Sequence, residues 1–98
     1  MVKVIHERDI EAYLVKRVKA AGGEVRKVKW IGRKGAPDRV VMFPPSRPGN
    51  MGLLVWVELK APGKGATPAQ AREHGLMREA GQYVWVINSF IKVDLLLS

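Results

Sequence analysis

Cysteine is absent from the 98 residues. That removes disulfides and thiolate zinc sites, and it suits a reducing compartment. Histidine is scarce: only His6 and His74 occur, with no second histidine nearby at ligand spacing. Each is therefore expected at the surface or against a nucleic acid rather than on a metal. No apolar run approaches the length of a membrane span, and the N-terminus lacks the apolar core of a signal peptide. The expectation is a cytoplasmic protein with no membrane partner. Repeats, linkers and low-complexity stretches are also missing, so one domain over residues 1–98 is expected. What remains is an ordinary globular composition, 47% hydrophobic and 27% charged with three Trp, enough for a modest core.

Acidic residues are the minority charge. Seventeen Lys/Arg stand against nine Asp/Glu, for a net charge of +8. The excess is uneven: residues 1–47 hold 12 Lys/Arg against 5 Asp/Glu, whereas the chain from Met51 on holds 5 against 4. It concentrates in Lys16-Arg17-Val18-Lys19, Arg26-Lys27-Val28-Lys29 and Arg33-Lys34. Such a distribution points to a polyanion, with nucleic acid as the first choice. A basic surface kept for solubility is the plainer alternative.

Ile10, Leu14, Val18 and Ala21 recur at helical spacing, which predicts a helix over 3–21 ended by Gly22-Gly23. A strand is expected over 24–30, then a mobile cationic loop over 31–37. Two β-rich runs follow, 38–43 and 53–60, separated by the breaker-rich stretch 44–52. A second Gly/Pro-rich loop over 61–66 leads to Thr67, which reads as an N-cap with Pro68 first in the helix and Gln70 third, a capping-box arrangement. That helix should run to about Ala80 and stop at Gly81. A strand over 82–88 and a short helix over 89–97 complete the chain. The order α-β-β-β-α-β-(α) predicts an α/β (α+β) fold, a mixed sheet flanked by helices. Its strand–helix–strand unit from Leu53 to Asn88 should make the last two strands parallel.

The chemistry concentrates in the central hairpin. If Phe43 pairs near Leu53, the antiparallel register sets Asp38 almost opposite Glu58, with Cβ atoms about 4.5–5.5 Å apart. Glu58 and Lys60 are two residues apart on one strand and share a face. Opposed acids repel unless a cation joins them, so the pair predicts a divalent metal site. A solvated strand face or a structural ion pair is the competing reading, but Lys60 alone leaves one acid uncompensated. Glu7 falls near the centre of the Ile10, Leu14, Val18 stripe at about 100° per residue. A carboxylate there needs a cation or donor partner, unless it merely answers the helix dipole. Glu11, one turn on, lies nearer the edge, facing solvent or a basic neighbour. Gln70 is explained by capping, yet sits close to the Glu58-Lys60 strand. Trp30, Trp56 and Trp85 are expected on strands and in the core, with Trp30 placed to stack on a base.

The segments Gly35-Ala36-Pro37-Asp38, Val57-Glu58-Leu59-Lys60 and Thr67-Pro68-Ala69-Gln70 come in order, followed by a Gly81-ended helix and a Val-rich strand. Together they resemble the VRR-NUC domain (virus-type replication and repair nuclease) of the PD-(D/E)xK superfamily, in its small stand-alone phage and bacterial form. The resemblance spans nearly the whole chain and implies a restriction-endonuclease-like core. It implies metal-binding acids at Asp38 and Glu58, a backbone ligand at the Leu59 carbonyl and a catalytic lysine at Lys60. It further implies a first-helix glutamate at Glu7, direct or through water, with Glu11 in reserve, and a site glutamine at Gln70.

Those residue types suit Mg²⁺ or Mn²⁺, hard cations that take oxygen ligands, and phosphodiester hydrolysis. The resemblance implies a homodimeric DNA endonuclease acting on double-stranded or branched DNA, in a bacterial or phage-infected host cell. Lys27, Lys29, Arg33, Lys34 and Lys64 are the expected contacts to the DNA backbone. A catalytically inactive, basic nucleic-acid-binding module is the alternative, and a structural or inhibitory phage protein the third reading.

Overall fold

The first helix begins where a side chain stops the backbone from continuing upstream. The His6 N–H donates to Asp9 Oδ2 at 2.8 Å, so α1 (Glu7–Ala20) starts at Glu7 and not at residue 3. In this computed structural model, residues 3–46, 49 and 51–98 are described. Ile10, Leu14 and Val18 are fully buried on one face of α1, as their spacing requires. Gly22, at φ 84°, ends the helix.

Among the described residues, four strands form one sheet in the order β1-β2-β3-β4. They are β1 (Glu24–Lys27), β2 (Arg39–Phe43), β3 (Leu53–Leu59) and β4 (Val84–Ile87). The first three are antiparallel to their neighbours, and β3 runs parallel to β4. Helices α2 (Pro68–Glu79) and α3 (Phe90–Leu96) follow β3 and β4. The element order is the expected one, although several ends are shorter. β1 stops at Lys27 because β2 begins at Arg39 directly opposite; a last rung runs from the Val28 N–H to the Asp38 carbonyl at 2.9 Å. Trp30 is therefore in a loop, not on a strand. Of the stretch 44–52, Arg47, Pro48 and Asn50 lie outside the described residues.

Alternation divides the sheet into two unlike faces. Val41, Val55, Val57, Leu59 and Ile87 pack on Ile10, Leu14 and Val18 of α1 and Val93 of α3, which is the core. Their neighbours Val40, Trp56 and Glu58 point to the opposite face, where α2 lies. β-branched residues dominate both central strands, which suits a half-buried pleated surface. No helix among the described residues is long and apolar enough to cross a membrane.

α2 carries the anticipated capping box. Gln70 N–H donates to Thr67 Oγ1 at 3.2 Å, and Thr67 N–H donates to Gln70 Oε1 at 2.9 Å. Such a cap is worth about 1 kcal/mol. The loop 31–37, expected to be mobile, is instead tied down along its length. The Trp30 indole N–H donates to the Pro37 carbonyl at 2.7 Å, and its ring lies 5.2 Å from that of Trp56. Arg33 forks onto both oxygens of Glu73 at 2.9 Å, joining the loop to α2. Gly35 sits at φ 86°, and a Cβ there would approach the Ala69 carbonyl oxygen to 2.7 Å. Only glycine lets the loop lie this close to the helix.

Candidate active site

The register of the hairpin brings the two acids together. Phe43 pairs with Leu53 and Arg39 with Val57, so the next position places Asp38 against Glu58. The alternation of hydrogen bonds sharpens this. Arg39 and Val57 face one another through their peptide groups, so Asp38 and Glu58 occupy the non-hydrogen-bonded position, where side chains come closest. The same alternation frees a carbonyl. Trp56 and Lys60 donate their N–H groups to Tyr83 and Ile87 on the β4 side, which turns the Leu59 peptide toward β2. Opposite Leu59 in that register is Pro37, which has no N–H to offer.

Glu58 is only 5% exposed. Burial, then the charge of Asp38, pushes its carboxyl up from 4.5 to about 7; Lys60 and Arg39 oppose the rise, and Glu7 adds to it. Asp38 Oδ1 and Glu58 Oε1 are both buried without a hydrogen-bond partner. Leaving such an atom unpaired costs about 1–3 kcal/mol. A cation between the carboxylates would give Asp38 Oδ1 a partner and offset the charge that Asp38 and Glu58 bring together, and an all-oxygen donor set suits a hard divalent ion that keeps several waters. The residues present therefore fit such an ion. Among the described residues, no three His, Asp or Glu side chains converge on one metal position. Two carboxylates and a main-chain carbonyl are the available donors.

Arg39 orients Asp38. Its Nη1 lies 3.1 Å from Asp38 Oδ2, and its Nε donates to Glu11 Oε2 at 2.8 Å. Glu11 thus holds the arginine that holds the aspartate, and Oδ1 is left over for another partner. The basic neighbour anticipated for Glu11 is Arg39, on the core face of β2.

Glu7 departs from expectation. It is exposed, because it occupies the first turn of α1, beyond the end of the packed stripe that begins at Ile10. Its charge reaches Glu58, but it does not complete a three-acid cluster. Gln70 uses its side-chain oxygen on the Thr67 cap, leaving its amide N–H groups for other partners. Lys60 follows the end of β3 and is half-buried, its backbone N–H bonded to the Ile87 carbonyl at 3.0 Å.

His74 departs furthest. Expected at the surface, it is 1% exposed, with Nε2 3.5 Å from Glu58 Oε1. Burial, then Arg78, lowers its pKa. The missed signal is the composition of α2. Its inward stripe runs Gln70, Glu73, His74, Met77, too polar for an ordinary core helix. Arg39 went unnoticed for a related reason: a charge on the core face of a strand demands a buried partner, and Glu11 was the candidate.

Lys27, Lys29, Lys34 and Lys64 are all exposed. Arg33 is the exception among the expected DNA contacts, its guanidinium already committed to Glu73. A cleft of about 360 Å³ opens between the 32–34 loop and α2, with Lys34 and Arg72 on its walls. Arg72 was not singled out from the sequence, where it reads as an ordinary exposed helix residue.

The chain is 40% identical over 88 residues to "Putative nuclease p44" of Acyrthosiphon pisum secondary endosymbiont phage 1, covering 90% of this chain and 88% of that protein. A solved structure described as a VRR_NUC domain superposes with a TM-score of 0.79 at 38% identity, covering 93% of this chain and 92% of the other. A second, described as a VRR_NUC domain protein, gives a TM-score of 0.66 at 19% identity over 97% of this chain and 87% of the other, a likeness of fold. No family model matches the chain. With identity near 40% along almost its whole length to a phage relative and to a solved domain of the same architecture, the chain belongs to the VRR-NUC family.

Proposed function

We propose that this protein is a metal-dependent DNA endonuclease that hydrolyses phosphodiester bonds, using Mg²⁺ or Mn²⁺. The observation that carries the reading is the opposition of two carboxylates, the half-buried Asp38 with its inner Oδ1 lacking any partner and the buried Glu58, in a chain of net charge +8. Family membership and the relative named a nuclease support it.

In this reading Asp38, Glu58 and the Leu59 carbonyl would hold the ion, and Glu7 would assist through water. Such an ion, when bound, would supply Lewis acidity toward the phosphate and a lowered pKa for water. The chain's own residues do the rest. Arg39 and Glu11 fix the Asp38 carboxylate, so little reorganisation is needed when substrate arrives. Lys60, on the face of Glu58, orients the attacking water and offsets negative charge as it develops. Water oxygen bonds to phosphorus, one phosphorus–oxygen ester bond breaks, and a proton reaches the departing oxygen. Gln70, at the start of α2, has amide donors free for a phosphate oxygen.

Lys27, Lys29, Lys34 and Lys64, joined by Arg72, approach the backbone and position it without reading sequence. Replacing Lys34 with alanine should weaken DNA binding and flatten its dependence on salt by about one unit of log–log slope. A gel-shift series across salt concentrations checks this, and an unchanged slope removes Lys34 from the interface.

The substrate proposed is double-stranded or branched DNA, cut by a homodimer whose two sites suit paired incisions at a junction. Light scattering that finds a monomer with and without DNA would remove the dimer. The decisive experiment is a panel of supercoiled, linear, flapped and four-way DNA incubated with Mg²⁺ or Mn²⁺ and, in parallel, EDTA. Cleavage restricted to the metal lanes is the expected result. DNA bound but uncut under every condition would instead identify a binding module.

A further inference from the structure

α2 presents to the site a residue with no part in the scheme above. His74 is fully enclosed, and its Nε2 and the Glu58 Oε1 lie 3.5 Å apart, each buried with no other hydrogen-bond partner. If packing alone were at stake, leucine or methionine would fill that place without stranding a polar nitrogen. The ring also meets the backbone of Gly35, in the loop that α2 lies against. The Arg33–Glu73 fork and the close approach of Gly35 to Ala69 hold α2 against the site loop. A shift of a few tenths of an ångström brings the two atoms to ordinary hydrogen-bond distance.

We propose that His74 is a positioning residue for Glu58: Nε2 keeps Oε1 on the inner side and leaves Oε2 to face Asp38 and the ion. This rests on the metal-dependent reading above. An unrestrained carboxylate can present either oxygen or swing away, whereas a held one offers a single donor in one place. Partners that orient a ligand in this way are typically worth about 10–100-fold in metal affinity. The arrangement parallels that at Asp38, where Arg39 holds one oxygen and leaves the other free. Each carboxylate of the pair then has one oxygen tied to the fold.

The test follows the imidazole itself. Protein labelled with ¹⁵N is titrated with Mg²⁺ and observed at the histidine ring nitrogens and the Leu59 amide, with His6 as an internal reference. The expected result is that the Leu59 amide and His74 Nε2 move together while His6 stays still. A moving Leu59 amide beside a motionless His74 ring would overturn the proposal while leaving the metal site intact. If neither moves, the metal reading itself fails and takes the proposal with it. Mn²⁺ affinity measured by calorimetry on His74→Leu and His74→Gln gives a second readout. His74→Leu should lose about 10–100-fold, and His74→Gln, which restores an N–H near the same place, should recover most of it. A folded His74→Leu variant that binds Mn²⁺ as tightly as the parent would also overturn the proposal. Should His74→Leu fail to fold, the titration of the unmodified protein decides.

Discussion

Lys60→Ala is expected to lower DNA cleavage by about 10²–10⁴-fold, the range for removing a group that handles a proton or a developing charge. DNA binding should stay close to that of the parent. The separation follows from where Lys60 stands. Its backbone N–H is bonded to the Ile87 carbonyl, so the end of β3 keeps its place when the side chain is cut back. One charge is lost from the basic surface, but from the half-buried reaction centre and not from the exposed lysines. A second effect accompanies the first. Lys60 restrains the upward shift of the Glu58 carboxyl, so its removal lets that carboxyl rise further. Residual cleavage in the variant should therefore need a higher pH. Plasmid nicking in Mg²⁺ between pH 6 and 9, beside gel shifts in EDTA, reads both effects. Parental activity in the variant would remove Lys60 from the chemistry.

Glu58→Gln should abolish cleavage and, in EDTA, raise stability at pH 8. The sign comes from the direction of the shift. The folded protein holds this carboxyl near 7 against an ordinary 4.5, so the native state favours the protonated form. Stability from that preference is complete below about pH 4.5 and is lost as pH climbs through 7. By pH 8 the parent carries a buried, ionised carboxylate at a penalty of about 3 kcal/mol, taking 1.36 kcal/mol per unit. Glutamine carries no charge and escapes it. The variant should thus melt above the parent at pH 8, with the gap narrowing toward pH 5. Mn²⁺ should raise the melting temperature of the parent and leave the variant nearly unmoved. A gap that does not change with pH would refute the buried-charge account of this site.

In the proposed reading, the same carboxylate would weaken the metal-free protein and hold the ion in the metal-bound one. Glu58 faces an Asp38 whose Oδ1 has no partner, because Arg39 engages only Oδ2. Local geometry at functional sites commonly breaks the rules that stabilise the rest of a fold.

Much of this was readable along the chain. The hairpin register followed from Phe43 and Leu53 flanking a breaker-rich stretch, and with it the meeting of Asp38 and Glu58. The N-cap of α2 followed from Thr67, Pro68 and Gln70. The parallel pairing of β3 and β4 followed from the helix between them. These are properties of short spans, set by turn chemistry and by alternation within a strand. Other features could not be read that way. The helical spacing of Glu7 matched the buried stripe of α1, but spacing does not tell where the covering sheet ends. Loop 31–37 looked mobile from its glycines and charges, yet Trp30, Arg33 and Gly35 each find a partner distant in sequence or across a turn.

Sequence order and local pattern by themselves determined the seven elements, the opposed acids and the lysine beside them, because each depends on neighbours within a few residues or on one hairpin. Only the tertiary structure decided which side chains brace them. His74 behind Glu58, Glu11 on Arg39 and Arg33 on Glu73 join residues 16, 28 and 40 positions apart. No periodicity connects such pairs. They are brought together when α1 and α2 settle on opposite faces of the sheet, and burial then raises the penalty for any polar atom left without a partner.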